Sequence, residues 1–171
     1  MLKRLSRARS DVALMNRILP AALVVASGDG VAEPAAEHLL VAALEEADGV
    51  AAAAIRESGG DPGKVRDAIR RQHQSALESV GVAVDEARLA AALPPGGDPG
   101  GVYRGTPSLN AGFQRAIALA KADRAALNSG YLLLGVTEPE HGTVARALTD
   151  AGIDRVRLRE KTCELLRSRP A

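Results

Sequence analysis

The chain has 171 residues, enough for a conventional core, and its 22 basic side chains nearly cancel its 21 acidic ones, so no global field draws it to nucleic acid or to a membrane surface. Apolar residues make up 46% but aromatics only 2%; the core must be aliphatic, and the abundant Ala, Leu, Arg and Glu point to an all-helical protein. A single cysteine, Cys163, excludes an internal disulfide framework and fits a reducing compartment.

The start is basic (Lys3, Arg4, Arg7, Arg9). Ser10 or Asp11 is expected to cap an opening helix carrying Val12, Met15, Ile18, Leu19 and Ala22, which Pro20 should kink or split because proline removes a backbone donor and clashes with the preceding turn. No stretch is expected to reach the length of a membrane span. Asp11, Asn16 and Arg17 interrupt the apolar run that a secretory signal needs, so a cytoplasmic location is expected. Ser27-Gly28-Asp29-Gly30 reads as a turn and Glu33-Pro34 as the start of the next helix.

A unit of roughly 30 residues then appears twice. The first copy runs from Glu37-His38-Leu39-Leu40 through Gly49, Gly59 and Asp61 to Arg66, and the second from Gly130-Tyr131-Leu132-Leu133 through Gly142, Gly152 and Asp154 to Arg159. Aligned without a gap, they agree at about nine of roughly 29 positions, and the differences mostly exchange one apolar residue for another. Leu39, Leu40, Ala43 and Leu44, like Leu132, Leu133 and Val136, fall on one helical face. Gly49 and Gly142 precede a second helix (Val50 to Ile55, Thr143 to Leu148) that stops at Gly59 or Gly152, where a left-handed residue is needed. Asp61 and Asp154 then cap a third helix, with Pro62 at its first position.

In the first copy the third helix is long, Lys64 to about Ser79. The phrase Ala76 to Val82 with Asp85 and Arg88 echoes the glycine stop, and Leu89 to Leu93 ends a helix after Asp85. Pro94 to Gly101 cannot continue it. The expected organisation is a first lobe over 1–93, a Pro/Gly-rich linker over 94–105 and a second lobe over 106–171. Thr106-Pro107 opens the second lobe as N-cap and first helical residue, with Leu109, Phe113, Ile117 and Ala120 on the buried face. The fold class is all-α, with two pseudo-twofold-related four-helix repeats.

Catalytic chemistry is not expected. Gly63-Lys64-Val65 lacks the glycines and the hydroxyl of a phosphate loop, so the chain should not hydrolyse ATP. His38, His73 and His141 have no partner at metal-ligand spacing; neither a metal nor a cofactor is expected. Glu37, Asp48 and Glu57, in an acidic neighbourhood with Glu33, Glu45 and Glu46, read as solvated acids. His38 reads as a structural hydrogen bond to a neighbouring loop, and Cys163 as a structural thiol. A competing class is a helical DNA-binding transcriptional regulator, with Ala147 to Arg159 as a helix-turn-helix and Arg155, Arg157 and Arg159 on phosphates. Against it, copy one has the same rhythm among acids.

The run from Glu37 to Leu44, with Glu46, Asp48 to Ala52, Ile55 and Gly59, resembles the N-terminal repeat domain of Clp ATPases, especially the ClpC type. Tyr131 to Val136 with Gly142 and Ala151-Gly152-Ile153 resembles the same motif. The resemblance spans roughly residues 5 to 166 and implies the receiving front of a Clp unfoldase without its motor: a non-enzymatic binding module acting as adaptor, decoy or modulator. Implied partners are Clp ATPase or protease components or their substrates, phosphoarginine-bearing proteins and cyclic peptides, with no nucleic acid and no membrane. Glu37 and His38 are the ligand-binding residues it implies, Glu37 pairing with the guanidinium of phosphoarginine while helix N-termini accept the phosphate. The family's Gly-Thr-Glu-His becomes Ala36-Glu37-His38 in copy one. In copy two Ser129-Gly130 replaces Thr-Glu, so at most one such site is kept. The aromatic residues usual in the family's cyclic-peptide site have no counterparts at Leu2 or Gly105.

Overall fold

The computed structural model describes residues 2–79 and 105–168, with side chains for 6–76 and 105–168. Among the described residues are eight α-helices and no strand: α1 Leu2–Gly28, α2 Ala36–Glu45, α3 Val50–Glu57, α4 Pro62–Ser79, α5 Pro107–Ala122, α6 Ser129–Thr137, α7 Thr143–Asp150 and α8 Arg155–Ser168. The helix expected after Asp85, the glycine echo at Gly81 and the Pro/Gly-rich run from Pro94 lie outside the described residues.

Local chemistry sets most boundaries where the sequence puts them. Gly59 and Gly152 end α3 and α7 with φ of 91° and 71°, and the following N–H groups, on Gly60 and Ile153, return to the carbonyls of Ile55 and Leu148 at 2.9 Å. This is the six-to-one closure of a glycine C-cap. Asp61 Oδ1 accepts from Gly63 N–H at 2.8 Å and Asp154 Oδ1 from Arg157 N–H at 2.9 Å, which gives an acceptor to one of the N–H donors that each helix start leaves unpaired. Thr106 caps α5, with Pro107 just inside. The motif helix α2 begins at Ala36 rather than at Glu33-Pro34, and Pro34 is buried before it.

The two sets of four helices interlock. α1 packs on α2 and α5 on α6; α2 lies against α6; α3 packs on α8 of the other copy, and reciprocally α7 packs on α4. Each exchange has its counterpart, which is the pseudo-twofold relation. One apolar cluster therefore runs through both copies, from Leu14, Ile18 and Leu40 to Leu133, Leu148 and Leu158. The central position of α2 and α6 also corrects the one-faced reading of the motif helices: Glu37 to Ala43 and Ser129 to Val136 are all buried, because neighbours cover them on every side.

Helix α1 departs furthest from expectation. It starts at Leu2 rather than after Ser10 or Asp11, and runs through Pro20 without a break. Leu14, Ile18 and Ala22 form its buried stripe while Pro20 and Asn16 face water, so the carbonyl that proline leaves without an N–H can be hydrated. The unbroken segment Ser6–Gly28, 23 residues with mean hydropathy 1.3, is long and apolar enough to cross a membrane by length and composition, contrary to the expectation that no stretch would be. Asp11 is not a cap; its Oδ1 accepts from Leu127 N–H at 2.7 Å and ties α1 to the second copy. Pro20→Ala should raise stability by about 1–2 kcal/mol, the regained helical bond and propensity being partly offset by a freer unfolded chain. Thermal melts check this, and an unchanged or lower Tm would show that α1 prefers the proline.

Candidate functional site

The motif helix begins after Ala35, whose backbone is extended (φ −115°, ψ −178°). The third helical residue, His38, is fully buried, and its Nδ1 accepts the Ala35 N–H at 2.9 Å. The expected structural bond is made, to the residue just before the helix. On the other side of the ring, His38 Nε2 faces Asp29 Oδ2 at 3.6 Å, from the turn after α1.

Glu37 is not the solvated acid expected; it is 8% exposed, and Oε1 lies 3.4 Å from Nε2 of His73 on α4. The His73 ring stacks on His38 with centroids 5.1 Å apart and an interplanar angle of 18°. Three segments thus bring two acids and two imidazoles together. Sequence spacing could not find His73, because its partners lie on a different helix. The faint available signal was a histidine on the inward side of α4, near the line of Ile69.

The electrostatics of the four groups are linked. Burial holds His38 below the ordinary histidine value, against the pull of Glu37 and Asp29. His73 is raised, first by the Glu37 carboxylate beside it, against the opposing effect of burial. Burial works against ionisation of Glu37, yet His73 and the backbone together bring its carboxyl below the usual range. The reading is an imidazolium on His73 paired with Glu37 beside a neutral His38.

Asp29, His38 and His73 hold ligand-type atoms within 4.8 Å of one another, a juxtaposition that sequence spacing did not suggest. Proton accounting argues against a metal there. Since Nδ1 of His38 accepts a hydrogen bond, the proton of the neutral ring sits on Nε2, and a ligating nitrogen must offer a lone pair. Metal ligation would need the Ala35 N–H to withdraw or the ring to become an imidazolate.

The same junction in copy two is built differently. Aligned with Glu37, His38 and His73 are Gly130, Tyr131 and Leu166. Gly130 is buried, and a Cβ there would stand 2.6 Å from Val50 Cγ1 and 3.0 Å from Leu166 Cδ2; a carboxylate has no room. Tyr131 donates its hydroxyl to Asp123 Oδ2 at 3.0 Å, as His38 faces Asp29, and burial with that acid pushes its phenol well above the usual range. A second polar feature joins the copies. Asp48 accepts from Val50 N–H at 2.9 Å and from Ser129 N–H at 2.8 Å, and it also takes the Ser129 hydroxyl.

Other sequence candidates sit elsewhere. His141 is exposed and Cys163 half-buried. Arg155 donates to the carbonyls of Thr137, Glu138 and Pro139 at 2.7, 3.0 and 2.7 Å, where it closes the end of α6. A shallow cleft of about 120 Å³ is lined by Val41, Leu44, Glu45, Pro62, Gly63 and Arg66, and contains neither Glu37 nor His38.

Residues 13–95 match the family model described as the Clp repeat (R) N-terminal domain. No curated protein matches the chain.

Proposed function

We propose, from the match of residues 13–95 to the Clp repeat N-terminal domain family, that the chain is a non-enzymatic binding module of the Clp system, acting as adaptor, decoy or modulator of substrate delivery. The observation that carries this reading is the family match, supported by the second helical copy that completes the pseudo-twofold pair. The family itself is a non-catalytic one. Partners under this reading are Clp ATPase or protease components or their substrates, and we take 94–105 as the boundary between the two repeats.

Within that reading, Glu37 is the residue for a phosphoarginine ligand, and the site exists in copy one only. Its carboxylate is intact, whereas Gly130 in copy two has no space for one. A guanidinium entering copy one must compete with His73 for Glu37, which makes binding weaker than at a free acid. Calorimetric titration with free phosphoarginine tests the proposal. One saturable site per chain, lost in Glu37→Ala while the far-ultraviolet circular dichroism is unchanged, is the expected result. Equal binding by the variant removes Glu37 from the site; no binding by the parent leaves recognition of a protein partner.

For the DNA-binding alternative, Arg155 is already engaged by three carbonyls. A steep salt dependence of binding to duplex DNA would be its signature.

A further inference from the structure

Copy two serves as an internal control for copy one. At the same junction between the motif helix and the third helix, copy two places Gly130, Tyr131 and Leu166 where copy one places Glu37, His38 and His73. The fold therefore makes this contact without an imidazole. Burying ionisable groups where apolar ones suffice is a net cost in most settings. In copy one His38 Nε2 and His73 Nε2 are buried and face Asp29 and Glu37 at 3.6 and 3.4 Å, within ion-pair reach but without the geometry of a hydrogen bond. The charged version is thus the less favourable way to build the junction.

Its geometry accommodates one proton and refuses a second. His38 neutral has an acceptor at Nδ1 for the Ala35 N–H. A protonated His38 carries N–H on both nitrogens, and its Nδ1–H would point at the Ala35 N–H across 2.9 Å. It would also set two imidazolium rings face to face at 5.1 Å, near a helix N-terminus that disfavours cations. We propose that Asp29, Glu37, His38 and His73 form a proton-operated latch that holds α4 on the start of α2 with a single shared positive charge and lets go on acidification.

Release would not stay local. The segment bearing Ala35 also joins copy two: Thr106 N–H and Oγ1 reach Pro34 O at 3.0 and 3.2 Å, and Ser108 Oγ accepts from Ala36 N–H at 3.3 Å. Movement of Ala35 away from a charged His38 is transmitted to the start of α5. The charged groups that face the pair are Asp29 from the turn after α1, Glu37 from α2 and the two histidines themselves.

The sign of the pH dependence follows from each group. His73, raised in the fold, contributes fully below the ordinary value of 6.5 and loses its contribution as pH rises through its folded value. His38, lowered, contributes fully above 6.5 and loses its contribution as pH falls through its folded value. Glu37, lowered from 4.5, adds a further loss at more acid pH. Stability from this cluster therefore peaks near 6.5 and falls on both sides.

The test compares thermal melts of the full chain and of His38→Tyr/His73→Leu, which replaces both imidazoles by the copy-two residues and keeps Glu37, between about pH 5 and 8. The parent Tm should be greatest near neutrality and fall towards pH 5, and the double variant should flatten that profile. In the parent, ring-proton NMR should show His38 titrating below His73. Parallel Tm profiles overturn the latch, as does a His38 that titrates at the ordinary value, a readout that stands even if the variant does not fold. A Tm rise of the parent with Zn²⁺, reversed by EDTA and absent in the variant, also overturns it in favour of a metal centre.

Discussion

Replacing Gly135 by alanine should destabilise the fold by about 2–3 kcal/mol, through overpacking where neither neighbour can yield. The added Cβ would meet the carbonyl oxygen of Gly112 and lie 2.9 Å from the Ala116 backbone nitrogen. Both are main-chain atoms of α5, so relief requires the two helices to separate. Gly112 has a reciprocal problem, since a Cβ there would stand 2.9 Å from Val136 Cγ1 on α6. The pair lets α5 and α6 approach at glycine-to-glycine distance, and Arg115 Nε donates to Gly135 O at 3.0 Å across the same crossing. Copy one has Ala42 at the position aligned with Gly135, buried between α2 and its neighbours, so its crossing already accepts a methyl group. Urea denaturation should show a lower midpoint with an unchanged slope for Gly135→Ala. Gly28→Ala is the control: nothing lies within 4 Å of its added Cβ and its backbone is helical, so it should be neutral or slightly stabilising. Equal effects at the two sites would mean that the close approach of α5 and α6 is not needed.

What could be read from the residues alone separates from what could not by range along the chain. Gly59, Gly152, Asp61, Asp154 and Thr106 were legible because a cap is decided within about one helical turn. The all-helical class and the duplicated unit were legible for the same reason, being properties of local periodicity. Pro20 was misread because its effect depends on which face it occupies, and that face is set by packing of Leu14 and Ile18 on α2. The complete burial of α2 and α6 depends on the exchange of third helices between copies, a long-range event with no local signature. The candidate site divides similarly. Glu37 and His38 stand out in the motif, whereas Asp29 and His73 enter only when α1, α2 and α4 are assembled.

Asp48 is the clearest case of a residue whose role exists only in the assembled pair. Its carboxylate accepts from Val50 N–H at the start of α3 and from both the N–H and the hydroxyl of Ser129 at the start of α6. Ser129 Oγ, fully buried, in turn accepts from Ala51 N–H at 3.0 Å. One anion thus serves two helix N-termini, where negative charge is favoured, and it links them across the pseudo-twofold relation. The aligned residue in copy two, His141, is exposed, so the clasp has no symmetric twin to take over. Asp48→Ala would leave the Ser129 N–H and hydroxyl without their acceptor in a buried place, and the expected loss is about 3 kcal/mol. Asp48→Asn keeps an oxygen but turns the other acceptor into a donor against an N–H or hydroxyl, and should recover less than half of that loss. The linkage itself is measured by a double-mutant cycle with Ser129→Ala, for which a coupling of about 1–2 kcal/mol is expected. Strict additivity would mean that Asp48 acts on α3 alone, and that the two copies are held together by their shared apolar core without it.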